Sequence, residues 1–161
     1  MLKWVDMPPV WLVGAIGLVW ALDRVLAIGA FGVLAVFGPV LVAAGLALLV
    51  AAMAQMLAAR TTVIPREAPA VLVTGGLFRI CRNPIYLADA MILGGLILWW
   101  DVPLGVGVLA GFIWLITTRF ILGEEAVLRA AFGQAFDDWA ARTGRWLPRG
   151  QGFFRNAANR R

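Results

Sequence analysis

From Val25 to Ala59 the chain carries no Asp, Glu, Lys or Arg. A charge-free run of that length is the mark of a membrane protein, and it exceeds the ~20 residues that one crossing of the hydrocarbon requires. Gly38-Pro39 interrupts it. The run therefore reads as parts of more than one membrane-embedded helix rather than as one span.

Composition agrees. The 161 residues are 62% hydrophobic with a mean hydropathy of +0.87, whereas a water-soluble domain is nearer half apolar. This length supports a single bundle, residues 1–161, and the fold class read from it is all-α: a polytopic membrane helix bundle of about four spans. The first span covers about 8–28, opening on Pro8-Pro9, which suit a helix start. It reads as a retained anchor, with Asp23 and Arg24 near its far end, close enough to pair or to reach the headgroups. The second covers about 32–58 and includes Gly45, which permits close helix contact. A polar connector follows over 59–83, broken by Pro65 and Pro69, with Gly75-Gly76 as a turn. The third span, 84–100, is short and the fourth covers about 102–122; Trp99, Trp100 and Asp101 between them mark the far interface. From Glu124 to Arg142 apolar residues recur at helical spacing around Leu128, Phe132, Phe136 and Trp139. That pattern predicts one C-terminal cytoplasmic amphipathic helix, weakened at Gly133 and ended by Thr143-Gly144.

Charge sets an expected orientation. Arg60, Arg66, Arg79 and Arg82 lie in the connector, and Arg129, Arg142, Arg145, Arg149, Arg155, Arg160 and Arg161 lie in the C-terminal segment. Basic loops stay cytoplasmic, so the connector and both termini are expected on that side, with a bacterial inner membrane as the expected location. A net charge of +5 carried this way fits topology and lipid headgroups rather than a nucleic-acid surface. The last dozen residues are expected to be basic and loose. No histidine is present, which removes the commonest metal ligand and general base, so no metal site is expected. The single Cys81 cannot form an internal disulfide.

Polar residues at the edges of the apolar runs carry the functional signal. Arg82, Asn83 and Tyr86 surround the expected start of the third helix, where free N–H groups favour an anion. The same residues also read as a topology arginine, an N-cap and an interfacial tyrosine. Asp89 shares a helix face with Tyr86 and falls inside a span, where a charge is costly, so it must meet protein, water or a ligand; it pairs with Arg82 or Arg119, or is protonated. In Glu124-Glu125 one carboxylate can face a pocket while the other caps the helix or pairs with Arg119 or Arg129.

The run from Leu72 through Thr74-Gly75-Gly76 and Phe78 to Arg82-Asn83-Pro84-Ile85-Tyr86, followed by Glu124-Glu125 and then Arg145-Trp146-Leu147-Pro148, resembles the isoprenylcysteine carboxyl methyltransferase and phospholipid methyltransferase superfamily of integral membrane enzymes. Thr61-Thr62-Val63-Ile64-Pro65 adds to the likeness, which covers about 45–148. The resemblance implies methyl transfer from S-adenosylmethionine, bound on the cytoplasmic side, to a lipid-like or hydrophobic acceptor. By position it implies backbone contacts from Leu72 and Val73, packing by Phe78, a polar grip from Arg82, Asn83 and Tyr86, and binding of amino or ribose groups by Glu124 and Glu125. Asp89 and Glu125 are the candidate catalytic residues; for an amine or hydroxyl acceptor, which must lose a proton, the candidate bases are Glu124, Glu125, Asp89 or water, and Arg119 is a candidate substrate contact. Asn83 stands where the family has histidine, Ala88 where it has glycine, and Phe120 where an arginine can contact substrate, with Arg119 adjacent. The acceptor classes left open are a phospholipid amine, an isoprenoid-linked carboxylate and a thiol. A non-catalytic membrane binding or assembly protein that keeps the fold is the alternative.

Overall fold

The computed structural model describes residues 6–26, 28–61 and 71–148. Pro65, Arg66, Pro69, the segment 62–65 and the arginines from Arg149 onward lie outside the described residues. Among the described residues the regular elements are helical: α1 Pro8–Leu26, a 3₁₀ turn Gly32–Phe37 leading into α2 Gly38–Ala58, a 3₁₀ turn Gly76–Arg79, α3 Pro84–Trp99, α4 Gly105–Ile116, a π-helical turn Thr117–Ile121, α5 Leu122–Phe132 and α6 Gln134–Arg142. In lipid the backbone must satisfy its own polar groups, which a helix does within one segment. Three helical stretches are long and apolar enough to cross a membrane: Pro8–Leu26, Gly32–Ala58 and Gly105–Phe132.

The fourth, α3, has 16 residues and spans about 24 Å. It is short because it is the centre of the bundle and need not match the lipid. Apart from Asp89 its residues are apolar all round and mostly buried, as expected for a helix enclosed by others. α2 lies along it at backbone distance. A Cβ on Gly38 would come within 2.5 Å of the Trp99 backbone nitrogen, and one on Gly45 within 3.0 Å of the Ala88 carbonyl. α1 and α4 complete the bundle, packing Val19, Phe112, Ile116 and Phe120 against Leu93 and Ile97.

Antiparallel alternation puts the starts of α1 and α3 and the ends of α2 and α4 on one side. On the other side Asp101, at φ 55°, accepts backbone N–H bonds from Ala30 at 2.8 Å and Phe31 at 2.6 Å. Those bonds hold its carboxyl below the usual range, the Phe31 amide contributing most. The residue expected as an interface marker thus ties the α3–α4 turn to the loop before α2.

The C-terminal helix differs from its expectation. The fourth span does not stop near Leu122. It runs on through α5, so Glu124 and Glu125 sit inside a continuous helical stretch Gly105–Phe132. Gly133, at φ 50° and ψ −124°, then breaks the chain outright, and α6 is a separate helix. That backbone region is open to glycine and strained for other residues. The π turn was also not foreseen. Thr117 and Thr118 bond back to the carbonyls of Ile113 and Trp114, a habit of hydroxyl residues that loosens a helix. One extra residue in that turn resets which side chains of α5 face α3.

Candidate functional site

The side shared by Pro8, Ala58, Pro84 and Glu124 is hollow. A cavity of about 500 Å³ lies there. Its wall is built from the first turn of α1 (Met7, Pro8, Pro9, Leu12), the last turns of α2 (Leu49, Met53, Met56), the connector (Thr61, Val71, Leu72, Val73, Phe78), the start of α3 and one face of α5 and α6 (Glu124, Val127, Leu128, Trp139). The volume lies in the ~300–1,000 Å³ range of small-molecule sites, and a mostly apolar wall with a few converging polar groups is their usual construction.

The polar groups converge at the outer end of α3. Tyr86, 6% exposed, donates its hydroxyl to Glu124 Oε1 at 2.6 Å. This bond joins two residues separated by a whole helical hairpin. It is short because one partner is charged. Behind it, Glu125 is 7% exposed and takes Arg82 Nη1 at 3.0 Å, with Arg145 bound two-pronged at 2.8 and 2.7 Å. The carboxylate bond holds the Arg145 guanidinium more firmly charged. Glu125 thus sits between two guanidiniums, and with Glu124 counted the two acids and two cations at this end balance.

The connector is pinned in several places. Trp139 Nε1 donates to the Phe78 carbonyl at 3.0 Å, and Phe78, Phe136 and Trp139 form a second, smaller core with Leu72 and Val73 against it. Gln55 grips the glycine turn, donating to Gly75 O at 2.7 Å and accepting from Leu77 N at 3.0 Å. Arg82 N donates to Gly144 O at 2.8 Å, which draws the C-terminal segment against the start of α3. Cys81 is buried beside that contact, and burial pushes its thiol up.

Leu72, Val73, Phe78, Arg82, Asn83, Tyr86, Asp89 and Glu124 all line the one cavity. Four expectations change. Asn83 holds the N-cap position of α3 but makes no side-chain cap; its amide donates instead to the Arg145 carbonyl at 3.1 Å. Glu125 is absent from the lining and pairs with neither Arg119 nor Arg129. Arg129 is held by Asp137 at 2.8 Å. Arg119 faces away from the cavity, bound two-pronged to Asp6 at 2.6 and 3.0 Å over the Trp11 ring. Asp89 consequently has neither of its expected cations.

Three contributors were missed. Gln55 was findable as the lone amide in an otherwise apolar stretch of α2. Trp139 was read only as part of an apolar stripe. Arg145 reads from sequence only as part of the basic C-terminal segment and of the Arg145-Trp146-Leu147-Pro148 run, and no local spacing links it to Glu125.

The fold and the cavity define a class: a helical membrane protein with a partly enclosed, polar-tipped cavity at one end of its bundle. The family model described as phospholipid methyltransferase matches residues 15–135. The chain belongs to that family of membrane methyltransferases. No curated protein and no solved structure matches it.

Proposed function

We propose that the protein transfers a methyl group from S-adenosylmethionine to a lipid-like or hydrophobic acceptor at the cytoplasmic face of a membrane. The observation that carries the reading is the Tyr86–Glu124 bond at the cavity's outer end, which brings the two halves of the expected donor site together.

The residues fit this donor chemically. The donor carries an ammonium, a carboxylate, ribose hydroxyls and a flat base, and each has a complement in the wall. Glu124 takes the ammonium or the ribose hydroxyls, with Tyr86 fixing its rotamer. Arg82 and Asn83, at the start of α3, provide positive charge and N–H groups for the carboxylate. Phe78 and Trp139 offer faces for the base, and Leu72 and Val73 offer backbone amides and carbonyls. When bound, the donor supplies a methyl already activated on a sulfonium sulfur. The protein's part is to align it with the acceptor and to keep water out, which is catalysis by orientation and a dry site. Glu125 acts on Arg82 as a positioning residue. Asn83 cannot exchange a proton, so the site has no base at that position. Arginines in the connector and the C-terminal segment favour the cytoplasmic side for this end of the bundle.

The test is incorporation of labelled methyl from S-adenosylmethionine into a lipid extract by purified protein. Incorporation that falls by about a hundredfold in Glu124→Ala supports the reading, a loss of about 2.7 kcal/mol of transition-state stabilisation. Absence of any incorporation, with binding intact, would favour the non-catalytic alternative.

A further inference from the structure

One turn beyond Tyr86 the cavity wall carries a carboxylate with no assigned task. Asp89 is 5% exposed, lies within the apolar sequence of α3 and lines the cavity. Among the described residues it makes no hydrogen bond and no ion pair. The two arginines that would neutralise it are engaged elsewhere, Arg82 by Glu125 and Arg119 by Asp6. A carboxylate so buried is costly to hold without a partner, and helix packing gains nothing from it.

Its depth separates it from the polar cluster at the mouth. Three residues along α3 carry it about 4.5 Å further into the bundle than Tyr86. The wall there is apolar, with Leu12 of α1 and Leu49 and Met53 of α2 set inward from their helix ends. α1 and α2 both line the cavity, yet each packs on α3 rather than on the other. The inner half of the cavity is thus flanked by two helices with a seam between them.

We propose that Asp89 is the recognition residue for the methyl acceptor, and that it selects a protonated amine head group arriving through the seam between α1 and α2. The proposal rests on the reading of the outer half as the donor site. An ammonium supplies the missing countercharge and N–H donors, and it passes one N–H proton to the Asp89 carboxylate before its nitrogen, then neutral, takes the methyl. A carboxylate acceptor would meet like charge at this point, and a thiol would leave the Asp89 oxygens unsatisfied.

Three amphiphiles with one tail and different heads test this: dodecylamine, dodecanoate and dodecanethiol, bound to the full-length protein in a neutral detergent without methyl donor and read by native mass spectrometry. The wild type should bind the amine at least about tenfold more tightly than the carboxylate or thiol. Asp89→Asn should lose that preference, and Asp89→Glu should keep it. Affinity of Asp89→Asn for S-adenosylmethionine should stay within about twofold of wild type. Its thermal midpoint should equal or exceed that of wild type, because an unpartnered buried charge is removed. Equal binding of the three heads by wild type overturns the proposal, as does a preference that survives in Asp89→Asn. Loss of donor affinity in Asp89→Asn as large as in Glu124→Ala would move Asp89 into the donor site. A lowered midpoint would make it a structural residue, and either result also overturns the proposal. Failure of wild type to bind S-adenosylmethionine sinks the donor reading instead, and the amine preference is still read directly.

Discussion

Tyr86 and Glu124 are far apart in sequence and 2.6 Å apart in space. Tyr86→Phe removes one hydrogen bond to a carboxylate, a contribution of about 1.5–3 kcal/mol. Titration calorimetry should show donor affinity falling by about tenfold or more in that variant, with a fall in thermal midpoint smaller than that of Glu125→Ala. Glu125 behaves oppositely. Its two guanidinium partners include Arg82, whose side chain is 8% exposed, so Glu125→Ala leaves a buried cation and costs about 3–5 kcal/mol of stability. Thermal unfolding in detergent reads that loss. The contrast separates a ligand-facing acid from a positioning one. Sequence placed both glutamates in the site but could not apportion them, because their phase on α5 is set by a π turn that no local pattern announces.

At the scale of elements, two joints are exposed to test. Gly133 stands at φ 50°, so Gly133→Ala should destabilise the α5–α6 junction by about 1–3 kcal/mol. Because α6 carries Trp139 onto the connector, donor affinity should fall with it. The α3–α4 turn depends on the Asp101 carboxylate. Its pKa lies below the ordinary 3.8 in the folded state. The unfolded chain therefore binds the proton first as pH falls, and the stability Asp101 contributes is present above pH ~4 and lost as pH drops through the folded value. Asp101→Asn should flatten that acid limb in melts recorded across pH 2–5, a range chosen around the ordinary carboxylate value. The helices themselves were legible, since long apolar runs and Gly-Pro breaks leave few choices. Their joints were not. The Gly133 break depends on one glycine's conformation, and the Asp101 tie joins residues some seventy positions apart.

For the whole molecule, a central short helix is wrapped by three longer ones, and the wrapping leaves a hollow where their ends diverge. The helical bundle and the gathering of connector, α3 and acidic pair at one end were readable from charge-free runs and edge motifs. The hollow itself was not, because its wall is drawn from segments far apart in sequence, among them α2 and α3, which meet at backbone distance at Gly45. Gly45→Leu should force those helices apart, lowering stability by about 1–3 kcal/mol and weakening donor binding together. The central claim, that this hollow is a donor site closed by Tyr86 and Glu124, is tested most directly by calorimetric titration of S-adenosylmethionine into purified protein. The account predicts saturable binding at one site in wild type and its loss in Glu124→Ala with the thermal midpoint preserved. No binding by wild type at millimolar donor, or equal binding by both proteins, would contradict it.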